Sequence, residues 1–220
     1  EAIRRNDSSY ALWNRSMTWT DARAFAETHG AHLAILTDRE ERRWVREQLD
    51  LRYPVWLGAG KGAHESWQWL DGTPMPTAQS VGNSEDRYLA LNKNGIIIPA
   101  DPKRKCDVLL EWRDDGQNPG TEREQLQRVR TLALSGSREK LLRGEGLPIG
   151  TRTFGDSHFY AVRGKMISWD EALDFAAVHG AYLAVPSSRE EHQWICEHFW
   201  GYLGTGQGLW LGGFRAQASQ

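Results

Sequence analysis

The chain contains one segment twice, as YALWNRSMTWTDARAFAETHGAHLAILTDREERRWV (10–45) and as YAVRGKMISWDEALDFAAVHGAYLAVPSSREEHQWI (160–195). At a fixed offset of 150 residues, 15 of the 36 positions are identical, and others differ by mild replacements such as Ile35 and Val185. Self-similarity at one offset indicates a duplicated structural unit. Because the period is far longer than that of a solenoid repeat, the pattern predicts two tandem domains.

Each copy begins with the signals of a capped helix. Thr18 stands three residues before Asp21, a spacing typical of helix N-terminal caps. It predicts a helix over residues 19–29, which Gly30 would end. We expect His29 to bind the last helix carbonyls and not a metal. The second copy repeats these signals with Ser168, Glu171, His179 and Gly180.

A strand and a second helix follow in each copy. Residues 33–36 are apolar and, together with His32, predict a short buried strand. Thr37 with Glu40 predicts the cap of a second helix, which would run through Leu49, and Ser187 with Glu190 repeats the pattern. Glu40 and Glu190 are therefore interpreted as caps and not as catalytic acids.

The first copy continues into a set of short strands, predicted at 55–60, 67–72, 88–91, 95–98 and 108–112, with a turn at Asp71 and Gly72. Helices that precede antiparallel strands are typical of an α+β domain. Large aromatic residues at helical spacing, Trp19, Phe25 and Trp44, are predicted to fill its core. Trp67 and Trp69 share one face of a strand and are expected to be buried together.

Composition excludes several classes of protein. The chain has 220 residues, 40% of them hydrophobic, which allows one or two domains. A net charge of −2 gives no reason to expect a nucleic-acid partner. No apolar run approaches the ~20 residues of a membrane span. Because the chain begins at Glu1 and not at Met, we interpret it as an excerpt of a longer protein and predict no localisation.

The sequence offers no convincing catalytic or metal site. Cys106 and Cys196 lie at non-equivalent positions, so neither copy is expected to contain an internal disulfide. Cys196 is predicted to be an inert buried thiol. No cysteine pair has zinc spacing. We therefore predict that the chain is not an enzyme and has no cofactor, with Ca²⁺ left open.

The order of several motifs resembles the C-type lectin-like domain family. The similarity rests on Tyr10, Trp19, Gly30, WLG (56–58), WQWLDG (67–72), Glu85, Asp86, Leu110 and Glu111. It covers about residues 9–113 and restarts near 157, where WLG recurs at 210–212. The resemblance implies one complete domain (9–113), a helical linker (114–150) and a truncated second domain (157–220). It also implies that residues 10–12 pair with 108–112.

The family's two usual disulfides have no cysteines here. The resemblance would place the first pair at Ala26 and Leu110, and the second near Arg87 and Arg104. Apolar contact can replace the first bridge, whereas two arginines cannot replace the second. We therefore expect the domain to depend on core packing alone, as cysteine-free members of bacterial and phage origin do, which favours a bacterial source.

The family's usual Ca²⁺–sugar site is also incomplete. Sugar-binding members hold Ca²⁺ through two short triplets, which would lie here near 79–83 and at 99–101. Of their acidic residues only Asp101 remains. Ca²⁺ needs 6–8 oxygen ligands, so Glu85 and Asp101 are weak candidates.

The predicted binding site is the long loop with its neighbouring surface, because loops on a rigid scaffold commonly carry recognition. Its candidate residues are His64, Glu65, Trp67, Asn83, Glu85, Asp86, Arg87, Asn92, Lys93 and Asp101. The predicted function is non-catalytic recognition of a glycan or a protein. The alternatives are an accessory region of a larger multidomain enzyme, with its catalytic domain outside this chain, and a purely structural spacer.

The linker and the second copy carry two further predictions. Thr121 with Glu124 predicts a helix whose narrow apolar stripe of Leu126, Val129 and Leu132 docks on a neighbouring domain. The second copy lacks the last strands, so its first strand would have no closing partner. We expect this half to be less stable, which hydrogen exchange can measure.

Overall fold

The computed structural model describes residues 2–63, 65–73, 75, 83, 85–114, 119–135, 138–162, 167–199 and 208–212. In chain order the elements are β1 (Ile3–Arg5), β2 (Ser8–Met17), α1 (Trp19–Thr28), β3 (His32–Leu33), α2 (Arg39–Gln48), β4 (Val55–Lys61), β5 (Trp67–Trp69), β6 (Tyr88–Leu91), β7 (Ile97–Ala100), β8 (Cys106–Arg113), α3 (Glu122–Leu134), α4 (Arg138–Leu142), β9 (Arg152–Phe154), β10 (Ser157–Phe159), α5 (Trp169–Val178) and α6 (Arg189–Phe199).

The first unit is an α+β domain built on one sheet. Its strand order is β1-β2-β8-β4-β6-β7, with β3 against β8 and β5 against β4. Tyr10 pairs with Glu111 and Leu12 with Leu109 in an antiparallel ladder. The expected pairing of the first and last strands is therefore confirmed. Among the described residues, no helix is long and apolar enough to cross a membrane.

The first helix of each copy begins and ends as predicted. The Thr18 side chain accepts a hydrogen bond from the Asp21 amide, and Ser168 caps α5 in the same way. The Nδ1 atom of His29 lies 2.8 Å from the Phe25 carbonyl oxygen. In the second copy, the corresponding distance from His179 is 2.7 Å. Both imidazoles thus bind the helix end, as expected from their position.

The second helix begins one residue later than predicted. Asp38 is the N-cap of α2 and accepts from the Glu41 amide, so the prediction of a Thr37–Glu40 cap is wrong. The Thr37 carbonyl instead accepts from the Arg42 side chain. In α6 the corresponding pair is one residue later as well, because the Glu191 amide donates to Ser188 and not to Ser187.

Strand boundaries differ from prediction where side chains build turns. Residues 32–36 are all buried, but β3 contains only two of them. Strand β7 begins two residues late because the Asn92 side chain accepts from the Asn94 and Ile96 amides and holds a turn there. The β1 strand and the β9–β10 hairpin were not predicted.

The core aromatic predictions are mostly confirmed. Trp19 and Trp69 are buried, and Phe25, Trp44 and Trp67 are partly buried against the same core. The Trp19 indole donates to the Leu57 carbonyl at 2.8 Å. This bond ties α1 to the middle of β4.

A close backbone approach joins β4 to the segment after α1. The Gly58 amide donates to the Ala34 carbonyl at 2.8 Å. A Cβ atom on Gly58 would lie closer than 3.0 Å to the Leu33 carbonyl oxygen, which is backbone and cannot move aside. The glycine of the WLG triplet is therefore required by packing.

A buried carboxylate joins the two ends of the domain. Glu111 is buried and accepts from the Ser8 hydroxyl at 2.8 Å, the Ile35 amide at 2.8 Å and the Arg113 guanidinium at 2.9 Å. Its charge is thus compensated by three donors from separate elements. Buried charges persist only with such partners.

Burial also shifts the pKa values of two groups beside Glu111. The Tyr10 hydroxyl donates to Glu41 at 2.8 Å. Burial, with Glu111 and Glu41 nearby, raises the pKa of Tyr10 above its ordinary value. Burial lowers the pKa of His32. Tyr10 and His32 are therefore neutral at pH 7, and they support the strands structurally.

The second unit repeats the main contacts of the first. Trp169 donates to the Leu211 carbonyl at 2.7 Å, as Trp19 does to Leu57. The Gly212 amide donates to the Ala184 carbonyl, and a Cβ on Gly212 would lie 2.8 Å from the Leu183 carbonyl oxygen. The β9–β10 hairpin lies where the offset of 150 residues places β1 and the start of β2.

Side chains of the second unit are more exposed to solvent than their counterparts in the core of the first unit. Trp210 is 52% exposed where Trp56 is 0%, and Val185 is 55% exposed where Ile35 is 1%. Within the described part of the second unit, no strands correspond to β6–β8. Strand β10, which corresponds to the start of β2, pairs with β9, and the described residues of this unit include no closing strand beside it. Lower stability of this half stays a prediction.

The linker packs on the first domain. Thr121 and Glu124 form the predicted capping box, and Leu126 and Val129 are buried. The end of the linker packs more deeply, because Ile149 is part of the hydrophobic core of the first unit. The next residues contact both units, because Thr153 lies in β9 and its hydroxyl donates to the Ala63 carbonyl of the first unit.

The two cysteines are free. Cys106 is buried, and burial raises the pKa of its thiol to about 11. Cys196 is only half-buried, which corrects the prediction of a buried thiol. Its sulfur lies 3.9 Å from Nε2 of His192.

We expect Gly58→Ala to lower the free energy of unfolding by about 1–3 kcal/mol, since an added methyl in a filled core forces the backbone apart. Urea denaturation of the whole chain measures the change. Gly208→Ala is the control, because a Cβ there meets no atom within 4 Å. Equal effects of the two substitutions would contradict this account of the triplet.

Candidate functional site

Three chain segments meet at one edge of the first domain. The β4–β5 loop reaches it at Glu65, and the segment before β6 reaches it at Arg87. The Arg87 amide donates to the Ala100 carbonyl, which brings the turn after β7 to the same edge. We call the resulting surface the long-loop face and define it by Glu65, Asn83, Glu85, Asp86 and Asp101.

Arg87 is the centre of this arrangement. Its side chain is 1% exposed, forms an ion pair with Glu65 and donates to the Thr151 carbonyl at 3.2 Å. Arg104, the other arginine at the family's second bridge, is exposed. The expectation that the domain depends on core packing alone is therefore wrong, because a buried guanidinium joins two loops there.

Residues 150–153 form hydrogen bonds with the β4–β5 region that precedes Glu65. The Gly150 amide donates to the Lys61 carbonyl at 3.2 Å, and the Thr153 hydroxyl donates to the Ala63 carbonyl at 2.9 Å. Sequence reasoning missed these contacts. Residues 150–153 lie outside the repeated segment and outside the predicted domain, so no pattern in the sequence connected them to the loop.

Two acidic groups of the face are engaged in turns. Asp101 accepts through Oδ1 from the amides of Lys103 and Arg104, at 2.7 and 3.2 Å. Asp86 accepts through Oδ2 from the Asn83 amide at 2.6 Å. These are the local bonds by which aspartates stabilise turns.

The remaining three residues of the face, Glu65, Asn83 and Glu85, are exposed, although the Glu65 carboxylate also pairs with Arg87. Glu65 has a φ of 59°, the left-handed region, which is uncommon for a residue other than glycine. Its amide donates to the Gly62 carbonyl at 3.1 Å, a bond within the β4–β5 loop.

The described residues fit Ca²⁺ poorly. Ca²⁺ takes 6–8 oxygen ligands, and the part of the chain that is described contains no group of three or more histidine, cysteine or acidic residues placed to hold a metal. One oxygen each of Asp86 and Asp101 is already bonded to backbone amides. Glu85 and Asp101 stay weak candidates and do not by themselves form a site.

Not all predicted residues reach this face. Asn92 and Lys93 lie at the opposite end of the β6–β7 hairpin, roughly 16 Å from Arg87 at about 3.3 Å per residue. Including them in one site was wrong, since they belong to the far turn. Trp67 is half-buried beneath Lys61, whose Nζ lies 5.3 Å from its ring centroid. His64 lies outside the described residues.

We expect Arg87→Met to lower the free energy of unfolding by about 1.5–3 kcal/mol, the range for hydrogen bonds to charged groups. Urea denaturation tests it, with Arg104→Met as the matched control at an exposed position. If both variants are as stable as the original chain, Arg87 does not hold the loops together.

Solved structures that are similar to this chain cover about half of it. The mouse scavenger receptor C-type lectin carbohydrate-recognition domain is 21% identical, with a TM-score of 0.46 over 51% of this chain and 95% of that one. A calcium-independent type II antifreeze protein is 18% identical, with a TM-score of 0.45 over 51% of this chain and 91% of that one.

Curated relatives match at most half of the chain. C-type lectin domain family 4 member F of Mus musculus is 35% identical over 115 residues, which is 50% of this chain and 19% of that protein. C-type lectin domain family 10 member A of Homo sapiens is 31% identical over 75 residues, 34% of this chain and 23% of that protein. The human secretory phospholipase A2 receptor is 34% identical over 62 residues, 27% of this chain and 4% of that protein.

The matched segment thus spans less than a quarter of each relative's length. These relatives are mammalian and do not support the predicted bacterial source. The family described as Lectin C-type domain matches residues 15–117. The second copy lies outside that match. Residues 15–117 are therefore similar to a C-type lectin domain, and the α+β sheet in which β2 pairs with β8 agrees with that similarity.

Proposed function

We propose that the first domain is a non-catalytic recognition module that binds a carbohydrate or protein ligand through the long-loop face without the usual Ca²⁺–sugar site. The observation that carries the proposal is the division of polar groups on that face. Asp86 and Asp101 each bond backbone amides, and Glu65 pairs with Arg87, whereas Asn83 and Glu85 are exposed.

The face has the properties of a recognition surface. It is formed by loops on a rigid sheet, the usual place for binding residues. The buried Arg87 and the contacts of residues 150–153 hold two of its loops before any ligand binds, which lowers the entropy cost of binding. Exposed carboxylate and amide groups can bond sugar hydroxyls or the polar groups of a protein.

The relatives' names support both classes of ligand. One similar structure is called a carbohydrate-recognition domain, and a group of relatives is called secretory phospholipase A2 receptors. The name of these receptors refers to a protein ligand, a secretory phospholipase A2. With the Ca²⁺ triplets incomplete, protein recognition is at least as well supported as sugar recognition.

The proposal extends to the second unit as a partial copy of the same domain. Its support is the repeated set of contacts, in which Trp169, Trp210 and Gly212 take the places of Trp19, Trp56 and Gly58. Trp210 donates to the Ile167 carbonyl at 2.8 Å, as Trp56 does to Met17 at 2.7 Å. This unit has no described long-loop face, so we place recognition on the first.

We expect the melting temperature of the chain to be the same in Ca²⁺ and in EDTA. A ligand that binds only the folded state stabilises it by about 2.7 kcal/mol at 100 times its dissociation constant. A bound Ca²⁺ would therefore raise the melting temperature. Thermal melts with calorimetric titration of Ca²⁺ make the measurement.

The outcome against the Ca²⁺-independent proposal is a melting shift in Ca²⁺ that Glu85→Ala or Asp101→Ala abolishes. Asp114→Ala is the matched control, since Asp114 is an exposed acid that pairs with Arg4 and is not one of the residues of the long-loop face. A shift that all three variants retain would place Ca²⁺ elsewhere in the chain.

A further inference from the structure

A second concave surface lies at the other end of the β6–β7 hairpin from the long-loop face. It has a volume of about 660 Å³ and lies between α2 and the hairpin turn. We call it the arginine groove. It is lined by Arg39, Arg42, Arg43, Arg46, Asn94, Gly95, Ile96 and Ile97.

The four arginines share one side of α2. Arg39, Arg43 and Arg46 are spaced by four and three residues, which places them on one helix face, and Arg42 lies beside them. Their counterpart on the opposite wall is uncharged: an asparagine, a glycine and two isoleucines. The groove therefore presents guanidinium groups on one wall only.

Two of the arginines are held by the protein itself. Arg42 donates through Nη1 to the Leu36 carbonyl at 2.8 Å and to the Thr37 carbonyl at 3.1 Å. Arg46 packs against the turn, since a Cβ on Gly95 would lie 3.5 Å from its Cδ. Side chains fixed in this way lose less entropy when a ligand binds.

The positive charge is only partly compensated. Glu47 accepts from Arg43 at 2.8 Å and lies 3.5 Å from Arg46. Asp38 is near Arg42, but its carboxylate caps α2. Among the described residues, no ion pair within 4.0 Å involves Arg39. Glu41 also lies near Arg42 and Glu40 near Arg43, and Arg42 is itself buried. The accessible positive charge of the groove is therefore that of Arg39, together with Arg43 and Arg46, which share Glu47.

We propose that the arginine groove binds an anionic ligand through sulfate- or phosphate-ester groups. The planar guanidinium donates two parallel hydrogen bonds to such oxyanions. Several arginines on one wall suit a ligand with more than one ester group. Ile96, which is 57% exposed at the rim, offers an apolar contact for the ligand's carbon skeleton. This site is separate from the long-loop face and does not depend on the function proposed there.

The test is calorimetric titration of the whole chain with two probes at low salt. One probe is a heparin-derived hexasaccharide, which carries sulfate esters, and the other is inositol hexakisphosphate. We expect at least one of them to bind, and the tighter one identifies the ester. A desulfated hexasaccharide that keeps its carboxylates is expected to bind at least about tenfold more weakly, since it loses charge-assisted bonds.

The variants place the binding on the groove. Arg39→Gln with Arg46→Gln is expected to weaken binding of the tighter probe at least about tenfold, because bonds to charged groups are lost. Arg15→Gln is the control, since it removes an exposed arginine on β2. A thermal melt of each variant confirms folding, and Arg39→Gln alone is used if the double variant is unfolded.

Two results would overturn the proposal. One is the absence of heat with both probes at low salt, where electrostatic attraction is least screened. The other is binding that the groove variants and Arg15→Gln weaken equally, because that pattern indicates general attraction to positive charge. Retention of probe binding in a Glu85→Ala variant separates this site from the long-loop face.

Discussion

The fold depends on how closely β4 can approach the backbone that follows α1. Gly58 makes this approach possible, because any side chain there would meet the Leu33 carbonyl. Once the two backbones touch, the Trp19 indole reaches the Leu57 carbonyl and closes the core beneath α1. The second unit meets the same constraint with Gly212. One local requirement therefore explains why the WLG triplet appears twice.

Two buried charged side chains, Glu111 and Arg87, connect segments of the domain in addition to the contacts of the apolar core. Glu111 accepts hydrogen bonds from β2, from the segment after α1 and from its own strand, and so joins the two ends of the domain. Arg87 does the same for the loops, through Glu65 and the Thr151 carbonyl. In this domain, whose cysteine is free, buried hydrogen bonds and ion pairs thus connect the loops and the chain ends. The long-loop face rests on the second of them.

Much of the fold followed from the sequence, because its signals are local. Capping at Thr18, the turn at Asp71 and the spacing of the apolar strands each depend on a few neighbouring residues. The site was harder to predict. Asn92 and Arg87 are close in sequence but lie at opposite ends of one hairpin, and Thr151 comes to the loops from beyond the domain. Such long-range placement has no signature in a single sequence.

The most direct test of the central claim, Ca²⁺-independent recognition through the long-loop face, is a binding screen of the whole chain in EDTA. Glycan arrays and cell-surface protein arrays would be probed with the original chain and with an Asn83→Ala, Glu85→Ala variant, whose substitutions are exposed. The account predicts a ligand that is bound in EDTA and lost in the variant. Binding that requires Ca²⁺, or that the variant retains in full, would contradict it.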